Sequence, residues 1–142
     1  MVKTDKIFVM TSNDVELVKL TEQVKEIVSN SGVRNGIVAV ITAHTTTGIT
    51  VNEGLDCLET DIVGTLRRLV PDDLPYTHAH FLPTYGRTSA NATGHLRGML
   101  LGNNCIFPIE NGKVLLGEAQ DVYLAELDGP QKRKLFVNII GE

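Results

Sequence analysis

Gly36-Ile37-Val38-Ala39-Val40-Ile41-Thr42-Ala43-His44 is the stretch that decides how this chain folds. Its continuous apolar run, rich in β-branched residues, reads as a strand covered on both faces, because a half-buried strand alternates. Downstream, Thr45-Thr46-Thr47-Gly48 makes a short link to a second apolar strand around Ile49 to Val51. Upstream, Lys6 to Thr11 reads as a first strand. Asn13-Asp14-Val15-Glu16 follows as a helix-capping pattern. Val15, Val18, Val24, Ile27 and Val28 then fit one helical face, which Asn30-Ser31-Gly32 ends.

Further along, Asp56 is placed to cap a second helix, with Leu58, Ile62, Leu66 and Leu69 at helical spacing until Pro71 stops it. Residues 71–90 hold three of the five prolines and little periodicity, so they read as a long loop. A third, short helix is expected from Asn91 to Leu101. After it comes a β-meander. Ile106 to Ile109 pairs with Lys113 to Leu116 through Glu110-Asn111-Gly112, an Asn-Gly hairpin signal. Strands near Asp121 to Leu127 and Lys134 to Ile140 follow, separated by Asp128-Gly129-Pro130. Helices early and strands late predict an α+β fold: one domain, residues 1–142, with a mixed or antiparallel sheet and about three helices.

The 142 residues are 42% hydrophobic and 21% charged, which excludes a disordered chain. Seventeen acidic against 13 basic residues give a net charge of −4, unfavourable for a nucleic-acid partner. The only basic cluster, Lys132-Arg133-Lys134, reads as a solvated strand start. No apolar run reaches the ~20 residues of a membrane span, and no signal peptide is visible. Cys57 and Cys105, with no C-x-x-C pair, read as reduced residues of a cytoplasmic protein.

Gly94, Gly98 and Gly102 recur every fourth residue in the third helix. Each interior glycine costs about 0.8–1 kcal/mol relative to alanine, so the stripe predicts close backbone approach to a neighbour. Four histidines complete the inventory of titratable groups. His44 ends the buried strand, His78 and His80 share the long loop, and His95 shares a helix face with Asn91. There is no H-E-x-x-H motif, and spacing alone does not bring these groups together; singly, each reads as a hydrogen-bonded or surface histidine. Thr45 to Gly48, with Arg97, has the hydroxyls, amides and charge to hold an anion. Asn52, Glu53, Asp56 and Asp61 supply further oxygens. No P-loop, nucleophile elbow or dinucleotide fingerprint is present.

The run His44-Thr45-Thr46-Thr47-Gly48-Ile49-Thr50-Val51-Asn52-Glu53 resembles the hallmark of the YjbQ-like proteins, an uncharacterised family. The likeness continues through Asp56, Asp61, Tyr76-Thr77-His78 and Asn91-Ala92-Thr93-Gly94-His95-Leu96. It resumes at Met99 to Gly102, Pro108, Leu116-Gly117, Gln120 and Glu126-Leu127-Asp128-Gly129-Pro130. Two positions depart from the pattern: Gly117-Glu118-Ala119-Gln120 replaces Gly-Thr-Trp-Gln, and Ala79 replaces an Asp.

The resemblance implies an α+β domain that assembles as a homotrimer, with His44, His78 and His95 as ligands of a divalent metal, zinc first. It also implies an enzyme acting on a small phosphorylated substrate, with a weak, secondary thiamine-phosphate synthase activity. In such a site Thr45, Thr46, Gly48, Asn52, Asn91 and Arg97 would bind substrate. Glu53 and Asp61 would orient or exchange protons, and Gln120 would contact the ligand. The alternative is a non-catalytic trimeric binding or scaffold module with a structural or vestigial histidine site. Loss of the indole and of the Asp favours that alternative, since it removes a substrate wall and a carboxylate.

Overall fold

The computed structural model describes residues 1–78 and 91–142. Its strands are β1 (Val2–Met10), β2 (Glu16–Lys19), β3 (Gly36–Thr42), β4 (Thr47–Glu53), β5 (Asn104–Glu110), β6 (Lys113–Val114), β7 (Gln120–Glu126) and β8 (Lys132–Gly141). Its helices, among the described residues, are α1 (Thr21–Ser31), α2 (Asp56–Leu69) and α3 (Ala92–Leu101). Two antiparallel sheets result, ordered β1-β8-β3-β5-β6 and β2-β7-β4. The fold is α+β, as expected.

The principal core lies between the sheets. Val38 and Val40 of β3 join Leu135, Val137 and Ile139 of β8 and Ile7 and Val9 of β1, facing Ile49, Val122 and Leu124 of the smaller sheet. Val24 and Val28 of α1 close the same core. On the far side of the smaller sheet, Ala125 and Leu127 pack on Leu66 of α2, with Leu101 of α3 beside them.

Three expectations need correction. The strand covered on both faces is β7, where residues 122–126 are all buried; β3 buries Val38 and Val40 but leaves Ile37 41% exposed. Val18 lies in β2, opposite Leu124, so α1 begins only at Thr21. The Glu16 carboxylate accepts from the Ser12 and Asn13 amides and caps a turn rather than a helix. Asp56 is the first residue inside α2, whose N-cap is Leu55 with no side-chain hydrogen bond.

Other elements form where expected. Gly32 ends α1 in the left-handed conformation, at φ 80°. Asn111 (φ 52°) and Gly112 (φ 80°) make the two-residue turn between β5 and β6, with Ile109 opposite Val114. Of the long loop expected over residues 71–90, residues 79–90, with Ala79 and His80, lie outside the described residues. Among those described, no helix is long and apolar enough to cross a membrane.

Candidate functional site

The site begins where β3 leaves the large sheet. Ala43 N–H still donates to the Lys134 carbonyl at 3.2 Å, continuing the antiparallel ladder. The Lys134 N–H instead donates to Nε2 of His44, at 2.9 Å. An imidazole thus stands where a strand carbonyl would be, in a ring that is neutral at that nitrogen. The loop that carries it is clamped by the Thr42 and Thr47 hydroxyls, 2.6 Å apart. Thr42 Oγ1 also accepts from His44 N–H (3.3 Å), and Thr47 Oγ1 donates to the His44 carbonyl (3.2 Å).

Helix α3 lies directly against this loop, and its glycines are the reason. A Cβ on Gly94 would stand 2.8 Å from the Leu127 carbonyl oxygen, and one on Gly98 2.8 Å from that of Thr47. The stripe is therefore a close backbone approach to a neighbouring element. Gly102 ends the helix with a positive φ of 84°. This contact carries His95 to the cleft that His44 occupies.

That cleft, about 560 Å³, is lined by Thr42, His44, Thr45, Thr47, His95, Met99 and Asn103, with Ala43, Gly98 and Gly102. Desolvation lowers the pKa of both imidazoles; the Arg133 charge adds to this at His44, and His78 at His95. Both are accordingly neutral near pH 7. The His78 ring centroid is 5.2 Å from that of His95. Its Nδ1 is buried without a hydrogen-bond partner.

Behind the loop sits a buried ion pair. Glu126 and Arg133 are 0% and 2% exposed and joined by hydrogen bonds of 2.5–3.1 Å. Glu126 also accepts from the Thr11 hydroxyl and from the Leu127 and Asp128 amides. Burial pushes its carboxyl up, but these donors and the guanidinium outweigh it and hold the group below its usual value. Arg133 reaches on to Thr46, at 2.9 Å from Oγ1 and 3.3 Å from the carbonyl. The expectation of a solvated basic cluster fails at Arg133, which shares the inward parity of Leu135 and Val137 on β8.

The remaining expected residues are distributed as follows. Thr45 is exposed in the cleft, whereas the Thr46 hydroxyl is occupied by Arg133. Gly48 serves packing: its Cβ would meet Leu101 Cβ at 2.8 Å. Asn91 is buried and donates to Asp128 (2.9 Å), leaving its own Oδ1 without a partner. Arg97 is turned toward the end of α2, bonding the Val70 carbonyl at 2.6 Å and Asp72 at 3.2 Å. Glu53 and Gln120 pair in register at the far end of β4, about 20 Å along the strand from Thr47 at the usual rise per residue. Gln120 accepts from the Gly117 amide there. Asn52 and Asp61 line a different, smaller cleft of about 260 Å³ between β4 and α2. Within one chain these four do not meet the histidines.

A metal on His44, His78 and His95 is tested by the same geometry. Among the described residues, no three His, Cys, Asp or Glu side chains stand close enough to hold an ion. His78 and His95 offer two nitrogens, while His44 holds the Lys134 N–H. Among the described residues the three histidines form no such group, and the His44 Nε2 lone pair is engaged by the sheet. Two nitrogens fall one short of the three protein ligands of a catalytic zinc site.

Lys134, Asp128, Asn103 and the Glu126–Arg133 pair were not among the residues expected at the site. A backbone amide leaves no motif, and the run Glu126-Leu127-Asp128 carries the resemblance without showing that Glu126 pairs with Arg133; only the inward parity of Arg133 hinted at its burial.

Residues 5–142 match the family described as UPF0047 protein YjbQ-like. A UPF0047 protein of Methanothermobacter thermautotrophicus is 38% identical over 141 residues, covering 99% of this chain and 94% of the relative. One from Archaeoglobus fulgidus is 38% identical over 130 residues, 92% of this chain and 95% of that protein. The crystal structure of a YbjQ-like protein of unknown function from Sulfolobus solfataricus superposes with a TM-score of 0.92 at 36% identity, over 100% of this chain and 99% of that one. An uncharacterised family protein from Clostridium acetobutylicum gives 0.86 at 36% identity, over 96% and 99%. With its whole length and both sheets matched, the chain belongs to the YjbQ-like UPF0047 family.

Proposed function

We propose that the chain is an enzyme that binds a small phosphorylated molecule in the cleft between His44 and His95 and moves a proton there. The observation that carries this reading is the convergence of two neutral imidazoles, from a loop and a helix, on one cavity. A neutral imidazole near pH 7 is competent for general acid–base transfer. The Thr45 hydroxyl, exposed in the cleft, supplies a polar group for a phosphate oxygen. Among the described residues no Lys or Arg lines the cleft, so the anion would be met by hydrogen bonds and imidazole rather than by a guanidinium fork. A divalent metal, zinc first, would draw on His78 and His95, with its remaining ligands from outside these three histidines.

The first reaction to assay is the joining of a pyrimidine diphosphate to a thiazole phosphate with loss of pyrophosphate, expected as a weak activity. Purified protein should turn over at least one phosphorylated metabolite, and His95→Ala should reduce that turnover 100-fold or more, roughly the contribution of an acid–base group. Absence of turnover, together with no chemical-shift change at the Thr45 amide on adding pyrophosphate, would sink the reading.

A second reading, a trimeric binding or scaffold module, is favoured by the outer face of the large sheet. Phe8, Met10, Ile106 and Ile140 are 55%, 72%, 60% and 46% exposed there, together with Ile37. Contiguous apolar surface of this kind marks a protein interface. We propose self-association through this face. The cleft lies at its border, since Ala43 follows β3 and Asn103 precedes β5. Assembly and catalysis are therefore compatible, and the turnover assay separates the two readings.

A further inference from the structure

We infer that His44 serves the cleft as a fixed hydrogen-bond donor through Nδ1–H, and not as a metal ligand. The inference rests on reading that cleft as the binding site, and it assigns one imidazole a definite chemical face. The Lys134 N–H points at Nε2 from 2.9 Å, so Nε2 presents its lone pair to the sheet. A neutral imidazole has one N–H, and with Nε2 accepting, the proton sits on Nδ1.

A cation at Nε2 would displace the Lys134 N–H and leave a strand-end donor without an acceptor. A cation at Nδ1 would require removal of that proton while Nε2 still accepts, which makes the ring an imidazolate. Neither nitrogen is open to a metal without undoing the end of the β3–β8 ladder. The backbone that carries the ring is held by Thr42 and Thr47, and Ala43 is bonded to Lys134 from the neighbouring position.

The donor left for a ligand is therefore Nδ1–H, on a residue that lines the cleft. Its complement is an acceptor oxygen: a phosphoryl or carbonyl oxygen of the ligand. His44 is a poor proton acceptor in this setting, because its only lone pair is engaged. Proton acceptance falls to His95, across the same cavity. The two imidazoles thus divide the roles: one polarises and orients, the other transfers.

The test is a long-range proton–nitrogen correlation spectrum of the full chain labelled with ¹⁵N-histidine, recorded near neutral pH. Assignment by His78→Gln, His80→Gln and His95→Gln identifies His44 by elimination and keeps the result independent of whether a His44 variant folds. The expected spectrum shows His44 protonated on Nδ1 and bare on Nε2. Addition of zinc chloride should leave both His44 nitrogens in place, whether or not those of His78 and His95 respond. Pyrophosphate should move the His44 Nδ1–H resonance, and His44→Ala should weaken its binding about tenfold, the worth of one such hydrogen bond. A proton on Nε2 would overturn the inference, and so would zinc-induced shifts of the His44 nitrogens. If pyrophosphate moves nothing in the cleft while the Nδ1–H form is observed, the proposed binding function fails and the tautomer assignment stands.

Discussion

Arg133 is flanked by two lysines in sequence, yet it is buried with its charge spent on Glu126 and its reach on Thr46. Removing one member of such a pair leaves a buried charge uncompensated, a loss of about 3–5 kcal/mol. Arg133→Met should therefore lower the urea midpoint sharply, whereas Arg133→Met with Glu126→Leu should recover much of the loss. Equal damage in single and double variants would show that the pair is not the stabilising unit. The histidines make a second prediction. His44 and His95 have folded-state pKa values below the ordinary 6.5. The unfolded chain therefore binds more protons once pH falls below about 6.5, and stability should drop through and below that value while staying level above it. Thermal unfolding at stepwise pH checks this, and His44→Asn with His95→Gln should flatten the slope. Residue identity in the sequence was informative for His44, Thr45 and His95, which do share a cleft. Arg97, Thr46 and Gln120 take other partners within the chain, and a polar side chain does not announce which of several partners it will take.

Among the elements, α3 was legible because glycines at every fourth position carry a cost that only close packing explains. Gly98→Ala should destabilise by about 1–3 kcal/mol, since its Cβ would press on the Thr47 carbonyl. The control is Gly64→Ala in α2, where the nearest atom is the flexible tip of Arg68 at 3.4 Å; there a gain of up to about 1 kcal/mol is expected. Denaturation of both variants decides, and a Gly98→Ala protein as stable as the parent would refute the contact. The Asn111-Gly112 hairpin was equally legible, as its turn demands positive φ at both positions. The start of α1 was not. Val15 and Val18 fall on a helical period by coincidence, and pairing with β7 claims residues 16–19 as an edge strand. The run in β3 was read correctly as a strand and wrongly as doubly covered, because an exposed apolar face and a core face have the same composition.

At the scale of the molecule, that face is the chief exposed apolar surface among the described residues. Lys132 lies 4.9 Å over the Phe8 ring and Lys134 5.5 Å over that of Phe136, so cations sit among the apolar side chains of this face. Ile106→Glu should dissociate any assembly formed through it, measured by sedimentation equilibrium at micromolar concentration. A monomer in the parent protein would remove self-association from the proposal. Topology was legible only in outline: alternation along each strand is visible in sequence, but strand order depends on which edges meet, and no local pattern records that. One feature of the whole arrangement constrains how the cleft moves. The Glu126–Arg133 pair ties the Thr46 loop to β8 and, through Thr11, to the end of β1, while the glycines of α3 press on the same loop from the other side. His44 and His95 are thus mounted on one chassis, and their separation is a machined dimension rather than an adjustable gap; a molecule taken up between them would have to match it, because widening it means lifting α3 off the carbonyls of Thr45 and Thr47.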